Sequence, residues 1–139
     1  NESAIGFCEN DRLGGLDPYS SSKACAELVS KSFSNSFFLE SDIKLANVRA
    51  GNVIGGGDWA NNRLVPDIYR SLHSKSKIIL RNPNALRPWQ HVLEPISGYL
   101  RLAKILFDKG NFQTGNNWNF GPNETDAHTV KWLIDELAK

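Results

Sequence analysis

Apolar residues recur at intervals of three to five between Ala24 and Phe33, so that Ala24, Leu28, Val29 and Phe33 can share one face of a helix. Asp17 ahead of Pro18 marks the start of that helix, a capping carboxylate followed by a proline in the first turn. The helical spacing runs to about Phe38, although Ser34, Asn35 and Ser36 weaken the last turns. Residues 1–16 are polar, end in Gly14-Gly15 and read as a loop. Residues 43–50, IKLANVRA, have the short apolar run of a buried strand, and GNVIGGGDW after them is too rich in glycine to continue it. A short helix is predicted over 64–73, behind Asn61-Asn62, and a short strand over 77–80. The segment NPNALRPWQHV reads as a loop leading into an extended piece. Helical spacing returns over 94–107, through Ile96, Leu100, Ala103 and Phe107, with Pro95 in the first turn. A strand over 117–120 and a helix over 129–137 complete the pattern. The apolar stripes of 94–107 and 129–137 are expected to face a core. Strands alternating with helices predict an α/β architecture with a parallel sheet.

Composition narrows the function more than it identifies it. Of 139 residues, 40% are hydrophobic and 22% charged, a globular balance. Sixteen basic residues against 15 acidic ones leave a net charge of +1, which argues against nucleic acid or an acidic membrane as a partner. Cys8 and Cys25 are too few for a disulfide scaffold, which fits a reducing cytoplasm. The apolar runs are too short to span a membrane and no signal peptide is evident, so a soluble cytoplasmic protein is expected. No spacing of histidine, cysteine and carboxylate suggests a metal. The chain begins with Asn1 and contains no methionine, which suggests that an upstream region belongs to it.

The candidate chemistry lies in DPYSSSK. Tyr19 and Lys23 are four residues apart at the start of the first helix, on one face, with roughly 6 Å of rise between them. A free phenol has a pKa of about 10, too high for a proton acceptor at neutral pH, and a neighbouring ammonium favours the phenolate. Such pairs also arise by chance on helices. Here a proline-started helix, a spacer of three serines and a following strand accompany the pair.

DPYSSSKACAELV, RAGNVIGGGDWANNRLVPD and ALRPWQHVLEPISGYLRLA together resemble the extended short-chain dehydrogenase/reductases of the NAD-dependent epimerase/dehydratase family. The resemblance runs in order from about residue 9 to residue 124. Within that family, RAGNVIGGGDW and RPWQHVLEP are most similar to dehydratases acting on CDP-glucose. The resemblance implies part of a Rossmann-like domain, with its second half and the catalytic helix over 1–60. Residues 61–139 would be a mixed segment, partly of the nucleotide-sugar-binding lobe and partly returning to the sheet. It also implies NAD as cofactor, CDP-glucose as substrate and a homodimer pairing through the catalytic helix. In such enzymes a tyrosine takes the proton of the sugar's C4 hydroxyl while hydride leaves C4 for NAD; water is then lost across C5 and C6, and hydride returns to C6.

Carried onto this sequence, the resemblance makes Tyr19 the base and Lys23 its activator, with Tyr19, Lys23 and Ala50 against the cofactor. Asn52, Arg63, Leu64, Arg81, Arg87 and Asn123 are then the candidates for binding substrate. Arginine suits a diphosphate because its planar fork grips two oxygens at once. Gly55-Gly56-Gly57 lacks the G-x-G-x-x-G spacing of a dinucleotide loop and reads as a bend. His91 is assigned no role, and Trp59, Trp89, Trp118 and Trp132 read as packing. The glycine-rich turn that binds the NAD pyrophosphate does not occur in these 139 residues, so they are expected to be inactive alone. A nucleotide-sugar epimerase and a non-catalytic nucleotide-sugar-binding module are the competing readings.

Overall fold

A computed structural model describes residues 6–108 and 116–139. The elements, in chain order, are helix α1 (Pro18–Phe33), strands β1 (Ala46–Ala50) and β2 (Asn52–Ile54), helix α2 (Leu64–His73), strand β3 (Leu86–His91), helix α3 (Leu93–Asp108), strands β4 (Asn116–Phe120) and β5 (Ala127–Thr129), and helix α4 (Val130–Leu137). They belong to two compact units that interleave along the chain, one holding Gly51–Pro95 and Gly121–Lys139, the other residues 6–50 with 96–120.

The unit that carries α1 is built on β1 and β4, which pair in parallel with Arg49 opposite Asn119 and Ala50 opposite Phe120. Helix α1 starts as its sequence predicts. The Asp17 carboxylate accepts the Ser20 amide at 3.0 Å, and Pro18 occupies the first turn where its missing N–H costs nothing. The hydrogen bonds from Ser20 hold the Asp17 carboxyl below its ordinary range. Gly15 is required by proximity, since a Cβ there would lie 1.9 Å from Ser20 Oγ. Beyond Phe33 the helix widens into one π turn, Ser34–Phe38, so the helical path reaches Phe38 but not as regular α-helix.

Helix α1 is least exposed along small and polar positions. Its less exposed positions are the half-buried Ser20, Ser21, Ala24, Glu27 and Ser30, all small or polar, and the fully buried Ser34 follows in the π turn. Of the apolar set, only Ala24 belongs to that stripe; Leu28, Val29 and Phe33 are each at least half exposed. Helix α3 repeats the pattern. Leu102 is buried and Tyr99 meets the Phe120 ring edge-on at 5.1 Å, while Ile96, Leu100, Ala103 and Phe107 lie exposed.

The other unit is a three-stranded sheet in the order β2-β3-β5, with β2 and β3 parallel and β3 and β5 antiparallel. Its core consists of Ile68 on α2, Ala85 before β3, and Val130 and Leu133 on α4. Full burial of a side chain such as Ile68 contributes about 2 kcal/mol. Val130 and Lys131 donate their amides to the carbonyls of Ala85 (3.1 Å) and Pro83 (2.8 Å), which seats α4 beside β3. The Thr129 hydroxyl caps α4 by accepting the Trp132 amide at 3.0 Å.

Residues 77–80 do not form the expected strand. They have no ladder partner among the described residues, and Ile79 is 90% exposed. Strands β2 and β5 appear instead at positions whose local sequence, glycine-flanked or only three residues long, carries little strand signal.

Candidate active site

Tyr19 stands in the first turn of α1 and is 72% exposed. Lys23, one turn later and also exposed, places Nζ 5.7 Å from the centroid of the Tyr19 ring. The helical spacing thus produces the cation–phenol neighbourhood that the residue types suggested. The serine spacer satisfies the helix rather than the pair: Ser22 donates to the Tyr19 carbonyl at 2.7 Å and Ser21 to the Gly15 carbonyl at 3.2 Å. Ala50, the last residue of β1, is exposed in the same unit.

The same unit holds a charged network that the sequence reading did not single out. Arg49 on β1 donates from Nε to Glu27 Oε1 (2.8 Å) and from Nη2 to Glu27 Oε2 (2.5 Å), a two-pronged fork onto α1. Its Nη1 reaches Asn119 Oδ1 on β4 at 3.4 Å and the Glu9 carbonyl at 3.5 Å. Glu9 accepts the Asn119 amide at 2.9 Å, and Asn119 Nδ2 donates to the Phe7 carbonyl at 3.1 Å. The Glu27 partnership raises Arg49 above the ordinary guanidinium value, against the opposing effect of burial. The Asn119 amide, foremost, holds the Glu9 carboxyl below its ordinary range. One local signal was available: Glu27 continues the series Tyr19, Lys23 at the same four-residue step.

The substrate candidates Asn52, Arg63, Leu64, Arg81, Arg87 and Asn123 all belong to the three-stranded unit. Asn52 is half-buried on β2, opposite Trp89. Gly51 beside it lies against Pro88, where a Cβ would come 2.9 Å from Cγ. Arg63 is exposed at the N-cap of α2 and Leu64 half-buried at its first position. Arg87 is exposed on β3, opposite His128, and donates to the neighbouring Leu86 carbonyl at 2.8 Å. Arg81 is exposed before β3. Asn123 lines a concavity of about 500 Å³ with Trp89, Gln90, His91 and Asp126. Asn52 and Asn123 therefore share the Trp89 region, while Arg63 and Arg81 stand on separate segments.

His91 is exposed rather than half-buried, and its Nδ1 accepts the Leu93 amide at 3.3 Å at the start of α3. Gly55 and Gly57 act as the bend expected of them, Gly55 by its closeness to Val92 and Gly57 by a φ of 83°. Among the described residues, no helix is long and apolar enough to cross a membrane.

A helix bearing Tyr19 and Lys23 beside the parallel strands β1 and β4 is an α/β arrangement, and residues 4–121 match the NAD dependent epimerase/dehydratase family. The chain belongs to that family. It is 54% identical, over 139 residues, to a CDP-glucose 4,6-dehydratase of Salmonella typhimurium (strain LT2), an alignment covering 96% of this chain and 38% of that protein. Among solved structures it is similar to a dTDP-glucose 4,6-dehydratase of Bacillus anthracis str. Ames in complex with NAD, with a TM-score of 0.76 at 22% identity, covering 98% of this chain and 40% of that one. It is also similar to a UDP-N-acetylglucosamine 4-epimerase of Methanobrevibacter ruminantium M1, with a TM-score of 0.67 at 20% identity, covering 96% and 40%. These likenesses show a shared α/β fold. The chain spans about two-fifths of the length of the relatives it matches.

Proposed function

We propose that the full-length protein carrying this chain is a lyase that dehydrates CDP-glucose to CDP-4-keto-6-deoxyglucose, with Tyr19 as proton acceptor and Lys23 as its electrostatic partner. The observation that carries this is the exposed Tyr19 phenol with the Lys23 ammonium 5.7 Å from its ring, in a chain 54% identical to a CDP-glucose 4,6-dehydratase.

The residues present suit the nicotinamide end of NAD. Tyr19 and Lys23 offer a hydroxyl and an ammonium side by side and open to solvent, donors that ribose hydroxyls can accept. NAD, when bound, supplies the acceptor and donor for hydride. The chain's own share begins with Lys23, whose ammonium stands beside the Tyr19 ring. Tyr19 Oη then takes the proton from the sugar's C4 hydroxyl as that carbon becomes a carbonyl. The carbonyl acidifies the proton at C5, so that water can leave across C5 and C6. Arg87, with its guanidinium exposed on β3, is assigned to the diphosphate; Asn52, Arg63, Leu64, Arg81 and Asn123 are assigned to the rest of the nucleotide sugar, and Ala50 to the cofactor.

The exposed apolar residues Leu28, Val29 and Phe33 on α1 support a homodimer paired through that helix in the full-length protein. The function is tested by incubating the full-length protein with NAD and CDP-glucose and identifying the product. A 4-keto-6-deoxy sugar supports dehydration, and an inverted hydroxyl would replace it with epimerisation. Tyr19→Phe should abolish turnover, while unchanged turnover would leave a binding module as the better reading.

A further inference from the structure

We propose that Arg49 and Glu27 form a positioning clamp for the Tyr19–Lys23 pair, which sets the rotation and height of α1 against the β1/β4 strands. The inference rests on the reading of Tyr19 as the catalytic base. Its starting point is the less exposed set of α1, which is Ser20, Ser21, Ala24, Glu27 and Ser30, all small or polar residues. Helices are ordinarily held in register by large side chains filling grooves. Here Leu28, Val29 and Phe33 all stand outside that set, and among the described residues α1 turns no large apolar side chain inward.

The fork from Arg49 fixes how far the helix is rotated. Two parallel hydrogen bonds between a planar guanidinium and a carboxylate permit one relative orientation, where a single contact would permit many. The pair is mostly buried, with side-chain exposures of 25% for Arg49 and 16% for Glu27, so it is less screened than a surface ion pair. Arg49 is itself anchored on β4 through Asn119, its register partner, and on the Glu9 carbonyl. Glu27 lies one turn beyond Lys23 and two turns beyond Tyr19, roughly 12 Å along the axis. A small rotation at Glu27 therefore carries Lys23 and Tyr19 with it.

The clamp touches neither substrate nor cofactor, so its effect should fall on the chemical step. In the full-length protein with NAD, Arg49→Lys keeps the charge and loses the fork. It is expected to lower kcat by about 10²-fold, the scale of an ångström-sized misplacement of a reacting group. KM for CDP-glucose should stay within about threefold, since the residues assigned to substrate lie elsewhere. Glu27→Gln preserves shape and one acceptor, and should lower kcat by about tenfold. The exchanged pair Arg49→Glu with Glu27→Arg should regain at least about tenfold over either single exchange, which a purely stabilising role would not require. The inference is overturned if kcat falls only in proportion to the folded fraction seen by thermal melting, if KM rises with kcat unchanged, or if the exchanged pair recovers nothing. Tyr19→Phe in the same assays separates the two levels. If that variant is dead while Arg49→Lys and Glu27→Gln turn over normally, the clamp alone fails. Normal turnover by Tyr19→Phe removes the catalytic reading and the clamp inference together.

Discussion

Gly98 on α3 lies flat against the ring of Phe120, so closely that a Cβ on Gly98 would stand 2.2 Å from Cε1 and 2.4 Å from Cδ1. Phe120 ends β4 and is also met edge-on by Tyr99, so its ring has little room to retreat. Gly98→Ala is expected to destabilise the full-length protein by about 1–3 kcal/mol, the cost of overpacking a filled site. Thermal or urea unfolding would measure this, and a wild-type midpoint would show that the ring can move.

Arg87 on β3 is exposed, donates to the Leu86 carbonyl, and has no carboxylate partner among the described residues. If it grips the diphosphate, Arg87→Ala should weaken substrate binding by about 1.5–3 kcal/mol, as expected for hydrogen bonds to a charged group. The loss should appear mainly in KM. Steady-state kinetics on CDP-glucose would check it, with Arg87→Lys recovering only part because lysine cannot form the fork.

Lys23→Met removes the ammonium beside Tyr19 while keeping much of the side chain's length. Turnover is expected to fall by about 10²-fold or more, the usual scale for loss of an acid–base partner. NAD affinity should fall as well, since the same ammonium is assigned to the ribose. Equilibrium dialysis with NAD and initial-rate measurements would separate the two effects.

Glu9 gives a pH-dependent contribution whose sign is determined. Its carboxyl is held below the ordinary range, first by the Asn119 amide, so the folded protein favours the ionised form. The unfolded chain then binds more protons near the usual value of about 4.3, and stability rises with pH there. The contribution is fully present above that value and is lost as pH falls through the lower folded value. Glu9→Gln should melt below wild type at pH 7, with the gap closing below about pH 4.

Thr129 caps α4 through its hydroxyl, and Val130 and Leu133 of that helix are in the core of the three-stranded unit. Thr129→Ala should cost about 1 kcal/mol, whereas Thr129→Ser should be nearly neutral. Thermal melting of the two variants would test this directly.

The start of α1, the position of Tyr19 relative to Lys23 and the glycine bend at 55–57 were all readable along the chain. Each depends on residues within about one turn of one another, where backbone geometry leaves few choices. The apolar stripe of 94–107 was expected to face a core and lies exposed, because hydrophobicity alone does not say which side a partner occupies. On α1, likewise, Leu28, Val29 and Phe33 carry the stronger apolar signal, yet Ser20 and Ala24 are the less exposed positions. Strands β2 and β5 were missed for a related reason, since three residues acquire strand character only from the neighbour they pair with.

The amino-acid sequence by itself determined the places of the helices α1 to α4, Tyr19 and Lys23 on one helical face, and the motifs that mark the family. These are local properties, set by helical pitch, capping and the restricted backbone of proline and glycine. Only the tertiary structure decided that β1 lies beside β4, that Arg49 forks onto Glu27, and that Glu9 accepts from Asn119, 110 residues away. Contacts between distant residues depend on how the intervening chain folds back, because hydrogen bonds and ion pairs respond to separation in space and carry no mark in the order of residues.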